Sequence, residues 1–164
     1  MARREYYNDP QAPAPNSLVV ATSAVVTDNA GRILLQRRTD SGNGALPGDG
    51  MEITESLADS VIREVKEETG FDVEVTGLVG TYTDPRHVIA YTDGEVRRQF
   101  NICYTARVTG GQLAISDEST EIRFVDPGEL DSLPFPRAWW GFALAGIGRR
   151  WLSTWLPRGP DLIV

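Results

Sequence analysis

The stretch Gly48–Phe71, GDGMEITESLADSVIREVKEETGF, decides how the chain is read. Leu57, Ala58, Val61, Ile62 and Val65 recur at spacings that fall on one side of a helix and match no strand face. The spacing predicts a helix over Ser56–Thr69, ended by Gly70, a residue suited to the left-handed cap that often closes helices. Glu64, Glu67 and Glu68 stand within one turn, on an arc of about 100°. Like charges at that spacing cost roughly a few tenths of a kcal/mol per pair. They also lie toward the helix C-terminus, where the backbone dipole disfavours negative charge. A run that breaks two local rules points to a compensating partner. A hard divalent cation, which takes carboxylate oxygens, is the natural one. The competing reading is a solvated acidic face.

The flanks favour the cation. A loop over Thr39–Gly50, rich in glycine and containing Pro47, precedes the helix, and glycine lets backbone approach a ligand closely. Glu55 precedes Arg63 by eight residues, a spacing at which an ion pair would brace the loop against the helix. Glu55, Arg63, Glu64, Val65, Glu67, Glu68, Gly70 and Phe71 then fall, in one register, on the fixed positions of a known pattern. The segment resembles the Nudix box, Gly-x5-Glu-x7-Arg-Glu-U-x-Glu-Glu-x-Gly-U, where U is a bulky apolar residue. One position departs: Asp49 stands where the box has its leading glycine.

The resemblance implies an α/β protein, a Nudix-type α/β/α sandwich with a mixed β-sheet between helices. It implies a hydrolase that cleaves a nucleoside diphosphate linked to another moiety, with Mg2+ or Mn2+ as cofactor. By the match, Glu64, Glu67 and Glu68 are the metal ligands, and Gly48 lies in a loop whose backbone oxygens help bind metal in this family. Arg63 would orient Glu64 and pair with Glu55, while Gly70 shapes the end of the box. Glu52 is either a ligand from the loop or structural. The general base is Glu64 or a carboxylate of a later loop, where Glu118 is the first choice and Glu121 the competitor. Asp49 would displace the loop, repel substrate phosphates or supply an extra ligand. Within the family reading, ADP-ribose and a free or oxidised nucleoside triphosphate are the leading substrates, and a catalytically weakened nucleotide sensor is the alternative. Pro85, in Thr83-Asp84-Pro85-Arg86-His87, follows the box at a distance similar to that of a proline in ADP-ribose-cleaving relatives.

The rest of the chain supplies context. It has 164 residues, 41% apolar and 24% charged, which fits one globular domain and excludes collagen-like and wholly disordered classes. No run approaches the ~18 apolar residues of a membrane span. Arg3 and Arg4 have no apolar core behind them, so the start is not read as a secretory signal. A single cysteine, Cys103, allows no intrachain disulfide. A cytoplasmic location is expected. The net charge is −7, and Asp49–Glu68 holds seven carboxylates against Arg63 and Lys66. No basic nucleic-acid footprint is present. The expected partner is a small nucleotide-type molecule, with neither nucleic acid nor membrane.

Three segments are expected: an extended or mobile arm over 1–16, the domain over 17–157 and a tail over 158–164. Strands are predicted at Ser17–Thr27, Arg32–Arg38, Phe71–Val79, Arg97–Val108 and Glu121–Val125, with the first two forming a hairpin. Pro127–Leu133 suits one helical turn. A long helix over Ala138–Leu156 carries Trp139, Trp140, Trp151 and Trp155, to pack on the sheet or on a second copy in a homodimer. Arg86, Arg97 and Arg98 are candidates for holding substrate phosphates. His87, Tyr82, Tyr91 and Phe100 are candidates for contacting a base, each with a surface or packing role as the alternative.

Overall fold

The computed structural model describes residues 3–133. The expected helix over 138–156, its tryptophans and the tail lie outside the described residues.

Strand β2, Ser17–Thr27, is rich in β-branched and small residues and forms the spine of a mixed sheet. It runs parallel to β7, Val96–Gly111, with Ser17 opposite Arg97 and Thr27 opposite Arg107. β5, Phe71–Tyr82, and β6, His87–Tyr91, both pair antiparallel with β7. On the far side β3, Ile33–Arg38, meets β2 only at Thr27 and Ile33, then diverges to pair with β8, Ser119–Val125, and with the short β4, Gly44–Ala45. The expected hairpin is therefore a brief contact rather than a long ladder.

The edge of β2 that β3 leaves is taken by the box loop. Ala24 N–H donates to the Pro47 carbonyl at 3.0 Å, Thr22 N–H to the Asp49 carbonyl at 2.9 Å, and Met51 N–H to the Val20 carbonyl at 3.0 Å. Gly48 sits tightly against β2 with φ +139°. A Cβ there would run into the Thr22 carbonyl, so only glycine fits.

Part of the expected N-terminal arm is ordered into the sheet. Arg3–Tyr7 forms strand β1, antiparallel to β6, with Arg3 opposite Tyr91 and Tyr7 opposite His87. The prolines that suggested an arm all lie after this strand, at Pro10, Pro13 and Pro15.

The single described helix, α1, spans Leu57–Thr69. Ser56 and Asp59 form a reciprocal capping box, and Gly70 (φ +77°) closes the helix with its N–H on the Lys66 carbonyl, a start and stop worth about 1 kcal/mol each. Val61 and Val65 are fully buried against Ala24, Val26, Leu34, Val73, Ala106 and Ile122, at about 1.5–3 kcal/mol each. The expected apolar stripe is only partly the buried face. Ile62 is exposed, and Ser60, Glu64, Glu68 and Thr69 complete the inward side. Ser60 Oγ lies 3.0 Å from Thr22 Oγ1, both buried, which ties the helix to β2. On the sheet's opposite side Val25, Ile33, Leu35, Cys103, Val125 and Leu130 form a second core. Burial pushes the Cys103 thiol up to about 11, so it is a packing residue. Pro127–Ser132 is a short 3-10 turn.

Candidate active site

α1 lies beside the box loop because both are fastened to β2, and that placement brings the box side chains together. Arg63 is the hub. Its Nε and Nη2 donate to the two Glu55 oxygens at 2.9 and 2.6 Å. Its Nη1 donates to Glu64 at 2.6 Å and to Glu67 at 3.0 Å, and Nη2 also reaches the Gly50 carbonyl at 3.3 Å. Glu55 in turn accepts the Glu52 N–H at 2.7 Å. The Arg63 guanidinium beside Glu55, together with that N–H, holds the Glu55 carboxyl down at about 2.

The three box glutamates differ in setting. Glu67 is exposed, whereas Glu64 and Glu68 face inward, at 8% and 3% exposure. They do not form a solvated face. Glu68 Oε2 accepts the Gly48 N–H at 2.7 Å, while its buried Oε1 has no hydrogen-bond partner. Burial pushes Glu68 up to about 8, and the neighbouring Gln36 amide and the Gly48 N–H offset only part of that. Burial likewise raises Glu64, with Asp49 and Glu67 adding to it against the pull of Arg63.

Asp49, Gly50, Glu64, Glu67, Glu68, Arg97, Ser116 and Glu118 line one cleft. Among the sequence candidates, the cleft thus gathers the three box glutamates, Glu118 and Arg97. Arg97 pairs with Glu95 at 2.7 Å, donates to the Tyr91 hydroxyl at 3.3 Å and lies over the Tyr91 ring. The other candidates stand apart from the cleft lining. Arg86 pairs with Asp84 at 2.7 Å and lies over Tyr7. Arg98 is elsewhere on β7, with its buried Nε lacking a hydrogen-bond partner. Glu121 is near Arg123 at 3.3 Å, Glu52 is exposed, and His87 lies 3.7 Å from Glu5. Tyr82 packs on the second core, where burial raises its hydroxyl to about 12.

Two residues of this neighbourhood had no role in the sequence reading. Ser116 Oγ is buried in the cleft wall without a hydrogen-bond partner. Arg38, at the end of β3, lies 3.9 Å from Glu68 and 3.6 Å from Glu118. The signal for Arg38 was a charged pair, Arg37-Arg38, ending a strand that begins with the apolar run Ile33-Leu34-Leu35.

Asp49 departs from the box without distorting the loop. Among the described non-glycine residues only Asn8 has a positive φ. Asp49 keeps its carbonyl on Thr22 and its Oδ1 on the Gly50 N–H at 2.7 Å. It adds a carboxylate to the cleft and no backbone strain.

The residues fit a divalent cation in one specific respect. A buried carboxylate oxygen without a hydrogen-bond donor, with its counter-charge on Arg38 no nearer than 3.9 Å, stands in a cleft of hard oxygen groups. Among the described residues no three acidic, histidine or cysteine groups converge as a closed metal cage. Arg63 instead holds Glu64 and Glu67.

A family model described as the NUDIX domain matches residues 17–143. The chain belongs to the Nudix hydrolase family. A MutT-like protein of Streptomyces ambofaciens is 35% identical over 127 residues, covering 76% of this chain and 75% of that protein. An ADP-ribose pyrophosphatase of Methanocaldococcus jannaschii is 33% identical over 123 residues, covering 71% of this chain and 66% of that protein. The crystal structure of a MutT protein from Methanosarcina mazei superposes with a TM-score of 0.63 at 22% identity, covering 83% and 94% of the two chains. That last likeness concerns the fold, the mixed sheet with helix α1 packed on it. This Nudix chain has no helix, among the described residues, long and apolar enough to cross a membrane.

Proposed function

We propose that this Nudix hydrolase is a divalent-metal-dependent pyrophosphohydrolase that cleaves a nucleoside diphosphate linked to another moiety, with ADP-ribose as the leading substrate. One observation carries the reading: a single helical turn presents Glu64, Glu67 and Glu68 to a cleft that also holds Glu118 and Arg97, and one buried oxygen of Glu68 has no donor. Similarity to the ADP-ribose pyrophosphatase of Methanocaldococcus jannaschii, 33% identical over 123 residues, supports the substrate class.

Glu64, Glu67, Glu68 and the Gly48 carbonyl are the groups that would hold Mg2+ or Mn2+. When bound, the cation supplies Lewis acidity toward the phosphoanhydride oxygens. The chain's own residues do the rest. Arg63 fixes Glu64 through Nη1 while anchored on Glu55, so the Glu64 carboxylate keeps one orientation. Arg97, held by Glu95 and Tyr91, presents a pre-ordered guanidinium to a substrate phosphate. Glu118 and Glu64 are the carboxylates able to accept a proton from the attacking water. Glu118 is the more exposed, with 58% of its side chain open to solvent.

The test is a panel of ADP-ribose, other nucleotide sugars and nucleoside triphosphates, with Mg2+ and with Mn2+. AMP plus ribose 5-phosphate is the expected product pair. Monophosphate plus pyrophosphate would assign triphosphates instead. Nucleotide binding without any product would replace the enzyme by a sensor.

A further inference from the structure

Arg38 is a largely buried charge that the roles above leave unused. It stands at the end of β3, where the pairing with β8 slips between Arg37 and Arg38. Its side chain is 11% exposed. A buried guanidinium is unfavourable unless its charge is matched, and three carboxylates surround this one.

They are held in two different ways. Asp40 takes the hydrogen bonds, from Nε at 3.2 Å to Oδ1 and from Nη2 at 3.2 Å to Oδ2. Asp40 is itself fixed by Arg3, whose Nε lies 2.8 Å from Oδ2. Glu68 Oε1 and Glu118 Oε2 lie farther off, at 3.9 and 3.6 Å. Those separations exceed the ~2.7–2.9 Å of a charge-assisted hydrogen bond. Arg38 therefore attracts both cleft carboxylates by charge and leaves their oxygens open to other partners.

The backbone beside Arg38 secures the same loop. Thr39 N–H donates to the Glu118 carbonyl at 2.8 Å, and Thr39 Oγ1 donates to the Asp117 carbonyl at 3.1 Å. Main chain and side chain at 38–39 thus hold the Glu118 loop at the cleft from one point. Glu121, three residues on, is held in β8 opposite Arg37, and its side chain pairs with Arg123.

We propose that Arg38 is a positioning residue for the hydrolysis, acting through Glu118: its charge keeps an otherwise solvent-exposed carboxylate at the mouth of the cleft, beside Glu68. The inference rests on the pyrophosphohydrolase reading and adds to it a residue outside the box.

A double-mutant cycle tests it. Steady-state hydrolysis of the best substrate of the panel is measured with Mg2+ for the full chain, R38Q, R38K, E118Q and R38Q/E118Q, each checked by thermal unfolding. R38Q is expected to lower kcat between about 10-fold and 100-fold, the range typical of groups that orient a catalytic ligand. KM should stay within about 3-fold, and R38K should recover part of the loss. In the E118Q background, adding R38Q should change kcat by less than about 3-fold, because coupled residues are non-additive. If R38Q does not fold, R38K and R38K/E118Q carry the same cycle. Wild-type kcat in a folded R38Q, or an equal loss with and without Glu118, would overturn the inference. E67Q separates this from the parent reading. Activity that vanishes in E67Q and survives intact in R38Q rejects the role of Arg38 alone. A wild-type chain that hydrolyses nothing in the panel rejects both.

Discussion

Arg63 grips Glu55 with two prongs, Nε to Oε2 at 2.9 Å and Nη2 to Oε1 at 2.6 Å. This pair couples the segment entering the helix to the turn that carries Glu64 and Glu67. It has a consequence for acid stability. The folded Glu55 carboxyl titrates at about 2, against an ordinary 4.5. A depressed carboxyl stabilises the fold above its unfolded value, and that contribution fades as pH falls from about 4.5 to about 2. E55Q should therefore melt below the wild type at pH 7, with the gap closing across that acid window. Parallel melting curves from pH 7 down to pH 2.5 check it; a constant gap would remove the ion pair as the cause.

Glu68 has the opposite linkage. Burial raises it to about 8, so its charged form opposes folding increasingly as pH rises from about 4.5 toward 8. With EDTA present, E68Q should melt higher than the wild type at pH 8, by about 4 °C or more. The difference should shrink toward pH 4.5, and Mg2+ should stabilise the wild type preferentially. Turnover by E68Q should fall by at least about 100-fold. A wild type that melts identically with EDTA and with saturating Mg2+ would argue against a cation at Glu68.

Asp49 brings charge to the cleft and no strain. D49N should leave the melting temperature nearly unchanged. Removing a carboxylate near Glu64 should lower the nucleotide KM and raise the Mg2+ concentration for half-maximal rate, each by about 3-fold to 10-fold. Titrations of substrate at fixed Mg2+, and of Mg2+ at fixed substrate, separate the two effects. No change in either would mean that the carboxylate is screened from both.

Gly48 is where the loop is least tolerant. A Cβ would strike the Thr22 carbonyl, and φ is +139°. G48A should cost about 2 kcal/mol or more, read by urea unfolding. It should also slow turnover, since the Gly48 N–H holds Glu68. Neutral stability in G48A would show that the loop can leave β2 freely.

The box and the helix were legible because their signals are local: a capped amphipathic segment and fixed charge spacings. Strand β2 was legible from its β-branched content, and most of β7 from the Thr92-Asp93-Gly94 and Gly110-Gly111 turns that flank it. β1 was not, since Arg3–Tyr7 is polar and becomes a strand only through β6. The limits of the buried face were hidden for a related reason. Ser60, Glu64 and Glu68 are polar, and only their partners, Thr22 and Gly48 among them, show why they point inward. Of the three arginine candidates, strand register brought Arg97 alone to the cleft lining, something composition cannot encode.

The parallel pairing of β2 with β7 also dictates when the acidic cleft can exist. Thr27 meets its neighbour only once Arg107 has been made. The box loop and α1, though complete much earlier, rest on a strand whose other edge is still bare. During synthesis the acidic turn therefore rests on a one-sided sheet until β7 leaves the ribosome, and the site is completed in a late, long-range docking step.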